Sequence, residues 1–202
     1  MFMKILTEKG AERFLQKEGF SIIEGFSINA KNQIKNKCST FPLVAKASGK
    51  NIVHKKRIGG VILNISSLKK AEEAYTKLKK IKGTEEVLFQ KQIEGKEFLL
   101  GIKKTPEFGH VVVYGVGGSG VEQKKDFSFR VCPLNSNDAD EMIKETLIGK
   151  NLNVTDKNII KKEIIKLSKL AKKFPNIKEL DINPLMIDKK IGYVVDARIV
   201  FE

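Results

Sequence analysis

Apolar and polar positions along this chain recur with two periods, and each change of period marks a new element. Over residues 7–18, Ala11, Phe14 and Leu15 fall on one helical face, with Thr7 placed to cap it and Gly19 to end it. Residues 43–47 and 60–65 are short apolar runs that predict buried strands. Helical spacing returns over 67–81, with Leu68, Ala71, Ala74, Tyr75 and Leu78 on one side and Gly83 beyond. Strands are predicted over 86–92, 97–103, 110–116 and 127–131, and "TPEFG" at 105–109 turns the chain. Helices fit 138–148 and 156–174, the second stopped by Pro175. Two last strands, 177–187 and 193–201, are joined by "DKKIG".

Strands and helices alternate without a repeat, and short turns join several neighbouring strands, which favours antiparallel pairs. The pattern predicts an α+β protein of two lobes with a seam near residues 90–95. A chain of 202 residues can bury one large core or two small ones.

Composition narrows the partner. With 38 Lys+Arg against 24 Asp+Glu the formal charge is +14, which suits a phosphate-bearing ligand. The excess is spread along the chain, so it also reads as solvated helix faces. The sequence has no tryptophan and no aromatic-rich basic motif, so no nucleic-acid partner is expected. Cys38 and Cys132 match no metal spacing. With no secretory apolar segment after Met1 they point to the cytoplasm, and no apolar run is long enough to cross a bilayer.

Three stretches could carry chemistry. In "FPLVAKASGKNIVHKKRIGGVILNI" (41–65), Lys46 closes an apolar strand before a glycine-bearing loop. That arrangement makes a phosphate clamp, or an edge-strand lysine beside an ordinary turn. The G-x-x-x-x-G-K-[ST] spacing of a Walker loop is absent. His54 is surrounded by Lys50, Lys55, Lys56 and Arg57, which favour a neutral ring. A neutral ring nitrogen can take a phosphoryl group, and the cations would stabilise the product. The plainer reading is a loop histidine without a role. In "VLFQKQIEGKEFLLGI" (87–102), Gln90 opens a connection where amide groups can read an adenine edge, and Glu97 can accept from ribose hydroxyls. In "KELDINPLMIDKKIGYVVDARIV" (178–200), Asp181 and Asn183 are two apart on a strand, and Asp196 lies on the returning one. Two carboxylates and an amide oxygen suit Mg²⁺ completed by phosphate oxygens; the alternative is solvent-facing acids on a hairpin.

Taken in order, "FPLVAKAS", "HKKRIGGVILNI", "VLFQKQIEGKEFLLGI", "PEFGHVVVYGVGGSGVE", "DFSFRVCPL" and "ELDINPL…VVDARI" cover nearly the whole chain. The set resembles an ATP-grasp domain, in particular the nucleotide-binding β subunit of ADP-forming acetyl-CoA synthetases. The resemblance implies an ATP-grasp fold with nucleotide between two α+β lobes. Residues 20–92 would form the N-terminal lobe, and 1–19 with 93–202 the C-terminal lobe, against which the first helix packs. It implies ATP or ADP and Mg²⁺ as cofactors. Lys46 would contact phosphates, Gln90 adenine and Glu97 ribose. Glu122 would lie in the glycine-rich segment near the phosphates. Asn183 and Asp196 would bind Mg²⁺ with Asp181 beside them. His54 would be catalytic, passing a phosphoryl group between a histidine of a CoA-binding α subunit and the nucleotide, in an αβ or (αβ)₂ assembly without nucleic acid or membrane. The implied reaction is acyl-CoA + ADP + phosphate giving acid + CoA + ATP. The sequence departs from the family where Gly49, Lys50 and Asn51 follow Ser48 and where Lys56 and Arg57 follow the histidine motif, making that loop more cationic. Alternative expectations are a nucleotide-binding regulatory module and a succinyl-CoA synthetase β-like ligase.

Overall fold

Thr7 does cap the first helix: its hydroxyl accepts from the Gly10 amide at 3.2 Å at the start of α1 (Glu8–Lys17). The computed structural model describes residues 3–49, 52, 55–118 and 125–202. The chain divides into two compact units, Met1–Ile22 with Glu94–Glu202, and Ile23–Ile93.

The larger unit is built on a sheet in the order β1 (Lys4–Ile5), β12 (Ala197–Phe201), β10 (Ile177–Asp188), β7 (Glu97–Thr105), β8 (Gly109–Val116) and β9 (Phe127–Val131). These neighbours pair antiparallel. β11 (Ile191–Val194) returns along β10, and β2 (Ser21–Ile22) runs parallel to β11. On one face Phe98, Leu100, Ile102, Val112 and Tyr114 pack against α4 (Ser136–Glu145) and α6 (Val154–Lys173) through Met142, Ile160, Ile164 and Leu167. Phe14 of α1 sets its ring edge-on to Phe174 at 4.9 Å and to Phe201 at 5.7 Å, fixing the first helix to this core. The chain leaves the unit beside β11, where Ser21 and Ile22 pair with Tyr193 and Val194. It rejoins at Gly95, where a Cβ would come within 2.5 Å of the Ile187 carbonyl oxygen of β10.

Two predicted elements are broken in the fold. The helix expected over 138–148 starts two residues earlier and stops at Glu145; Thr146 is extended, with ψ 148°, before α5 (Leu147–Lys150). Asn135 and Asp138 set the start, each side chain accepting from the other's backbone amide at 3.1 and 2.7 Å. The break is held by the Thr146 hydroxyl, which donates to the Ile143 carbonyl and accepts from the Gly149 amide, each at 3.0 Å. The Asp126 carboxylate caps the new helix, accepting from Leu147 and Ile148 at 2.7 and 2.9 Å. The strand expected over 193–201 is likewise two strands, interrupted at Val195 and Asp196. Opposite this break lies the cis Asn183–Pro184 bond, beside which β10 shifts its register against β7 between Ile182 and Leu185.

The smaller unit is a four-stranded antiparallel sheet in the order β3 (Gly25–Ile28), β6 (Glu86–Lys91), β4 (Leu43–Ser48) and β5 (Val61–Ile65). The short helix α2 (Ile34–Lys37) precedes β4, and α3 (Leu68–Lys79), capped by Ser67, covers one face. Ala71, Ala74, Tyr75 and Leu78 of that helix form a second core with Leu43, Ala45, Ala47, Ile65, Val87 and Phe89. β3 was not anticipated: it has four residues, two of them Gly25 and Ser27, and only Ile28 is buried. Among the described residues no helix is long and apolar enough to cross a membrane.

Candidate functional site

The smaller unit carries two of the expected nucleotide contacts on one sheet face. Leu43, Ala45 and Ala47 of β4 enter the α3 core. Alternation therefore sends Val44, Lys46 and Ser48 to the other face. Val44 pairs with Gln90 and Lys46 with Leu88, so Lys46 and Gln90 share that face. β4 is an interior strand, so Lys46 is not an edge lysine; it is 4 % exposed and Gln90 1 %. Lysine is almost never buried so fully without interactions that hold its charge, which marks this position as specialised. Gly25 lies opposite Gln90, and a Cβ there would come within 2.6 Å of the Gln90 Cγ. A side chain at 25 would displace Gln90.

The larger unit gathers the remaining described candidates on the sheet face away from its helices. Asp181 pairs with Gly101 on one side and Arg198 on the other, and Glu97 is two alternations along β7 from Gly101, on the same face. Asn183 lies in the register shift, where its amide donates to the Asp196 carbonyl at 3.1 Å. The Val195 amide donates to the Pro184 carbonyl at 3.1 Å, so two backbone bonds clamp the break that carries Asp196 to the bulge that carries Asn183. Burial pushes the Asp181 carboxyl up to about 6; Asp196 and Glu179 add to the shift and Arg198 opposes it. Arg198 also contacts Glu179 at 3.2 Å.

A glycine pair completes this group. The Gly117 amide donates to the Glu97 carbonyl, and the Gly118 amide to Asn183 Oδ1, each at 2.8 Å. Gly118 has φ +83°, and a methyl built there would fall on the Glu97 carboxylate. Glu97, Asn183, Asp196 and Asp181 thus form one constellation around the end of β8. Residues 115–120 carry the spacing G-x-G-x-x-G, but β8 and β9 are antiparallel, so no strand–helix–parallel strand unit stands here. His54 and Glu122 lie outside the described residues. Among the described residues no three His, Cys, Asp or Glu side chains gather into a ready-made metal cage. Two carboxylates and an amide would leave positions open for a ligand's oxygens. The roles of Gly25, Gly117 and Gly118 escaped the sequence reading; the doubled glycine directly after a strand was the available signal.

The profile of the ATP-grasp domain matches residues 3–201. The chain is 34% identical to the ADP-forming acetate–CoA ligase II of Archaeoglobus fulgidus over 97% of its own length, but spans only 30% of that protein. It is also 34% identical to the ADP-forming acetate–CoA ligase I subunit beta of Pyrococcus furiosus, covering 79% of this chain and 75% of that one. Among solved structures, a Ca. Korarchaeum cryptofilum acetyl-coenzyme A synthetase in complex with coenzyme A and Mg-AMPPCP superposes with a TM-score of 0.81 at 32% identity, over 98% of this chain and 93% of that one. In that structure a phosphohistidine segment points towards the nucleotide-binding site.

Proposed function

The chain belongs to the ATP-grasp domain family, and from that premise we propose that it is the nucleotide-binding β subunit of an ADP-forming acyl-CoA synthetase. The two units correspond to the lobes of the grasp. In this reading Lys46 and Gln90 on the smaller unit meet phosphate and adenine, and Glu97 on the larger unit meets ribose. Asp181, Asn183 and Asp196 would hold Mg²⁺, which when bound neutralises phosphate charge. The observation that carries the reading is the constellation on the larger unit. Asp181, its carboxyl raised first by burial and then by Asp196, makes a site that a divalent cation would relieve.

His54 is the phosphoryl carrier. Its ring nitrogen attacks the phosphorus of the partner's phosphohistidine, the old N–P bond breaks, and that histidine is left neutral. An oxygen of the ADP β-phosphate then attacks the phosphoryl group on His54, forming ATP and returning the free imidazole. Lys55, Lys56 and Arg57 next in sequence supply charge for the intermediate. Glu122 belongs to the glycine-rich segment beside the phosphates. The partner is a CoA-binding α subunit that makes and relays the phosphoryl group, in an αβ or (αβ)₂ assembly. A separately encoded beta subunit of similar extent in Pyrococcus furiosus supports this division.

The test is reconstitution. The chain mixed with the CoA-binding subunit should form ATP from acetyl-CoA, ADP and phosphate. His54→Ala should abolish ATP formation while Mg–ADP still binds by calorimetry. Near-full turnover by that variant would rule out the carrier role.

A further inference from the structure

Asn183 is expected at the metal through its side-chain oxygen, yet that atom already accepts a hydrogen bond from the Gly118 amide at 2.8 Å. An amide oxygen has two lone pairs, so one is committed to the backbone and one remains. The Gly118 bond therefore sets which way Asn183 Oδ1 faces. Gly118 is in turn fixed from its other side. The preceding Gly117 amide is bound to the Glu97 carbonyl, and the Phe98 backbone fills the space a Cβ at 117 would need. The Glu97 carboxylate occupies the space a methyl at 118 would take.

From this packing we infer that Gly118 is a positioning residue. Its amide ties the first step of the glycine-rich segment to the metal-binding hairpin through Asn183, with Glu97 as the brace behind it. The Gly117–Gly118 step and the cation are then coupled through one amide side chain. Displacing Gly118 lets Asn183 rotate, and the cation loses a preoriented oxygen. The inference rests on the nucleotide reading above, and it gives Glu97 a second duty besides a ribose contact.

The experiment measures ADP affinity calorimetrically with and without Mg²⁺ and takes the ratio, the factor by which the cation tightens binding. Gly118→Ala places a methyl on the Glu97 carboxylate and should lower that factor about tenfold or more, the scale of one lost charge-assisted contact. Gly109→Ala is the matched control. Gly109 shares the left-handed backbone, at φ +67°, but a Cβ there has nothing within 4 Å, so the factor should stay at the wild-type value. A second measurement does not depend on the Gly118 variant folding. Amide exchange at Gly118 should quicken about tenfold in Asn183→Ala, because its acceptor is gone. An unchanged factor in Gly118→Ala, an equal loss in Gly109→Ala, or unchanged exchange in Asn183→Ala would each overturn the tether while leaving the nucleotide reading intact. A wild-type chain that takes up no Mg–ADP overturns the nucleotide reading, and the tether with it.

Discussion

Asp181 shows how a residue proposed for binding weighs on the protein that carries it. Its carboxyl titrates near 6 in the fold against an ordinary value of 3.8, first because it is buried and then because Asp196 and Glu179 are near. Between these values the folded chain holds more protons than the unfolded chain, so stability falls as pH rises through the window and stays low above it. A shift of this size corresponds to roughly 3 kcal/mol. Asp181→Asn should therefore stabilise the metal-free chain at pH 7 by up to roughly 3 kcal/mol and flatten the dependence between pH 4 and 6, read by urea unfolding. Cation binding at the proposed site would have the opposite sign, since it needs the ionised form and should weaken below about pH 6. That Asp181, Asn183 and Asp196 come together was legible from a two-residue alternation and a returning strand, although the register shift at Asn183 and the strand break at Asp196 were not. Gly118 was not, since its meaning comes from a hydrogen bond to a residue 65 positions away.

At the scale of elements, local chemistry decides where periodicity stops being informative. α1 and α3 follow their apolar stripes and their Thr7 and Ser67 caps, and both could be read directly. The helix predicted over 138–148 misled because its apolar spacing runs through a break made by Thr146, Gly149 and the distant carboxylate of Asp126. Its true start is the Asn135–Asp138 box, a signal present in "LNSNDADEM" but outweighed there by the apolar pattern. Asn135→Ala removes an acceptor used by two amides and should cost about 1 kcal/mol, seen as a lowered thermal midpoint. β3 was illegible for another reason. A short strand with one buried residue carries no alternation, and its use is the bare Gly25 that leaves room for Gln90.

At the scale of the whole molecule the described residues form two hydrophobic cores, one beneath the larger sheet and one beneath α3, with no residue in common. The interspersed pattern predicted two α+β lobes. What it did not show is where the smaller unit is spliced into the larger. The chain departs beside β11 and returns beside β10, the two arms of one hairpin. From β2 across β11 and β10 to β7 is three strand spacings, about 14 Å. A flexible bridge of about six residues spans that gap. The smaller unit is thus a cassette plugged into a single socket. Excising residues 23–93 and closing the socket with such a bridge should leave a protein that folds cooperatively by circular dichroism and keeps its acidic hairpin. A shortened chain that melts without a transition would show that the cassette is part of the scaffold. The same socket offers a place to graft a different module beside an unchanged acidic hairpin.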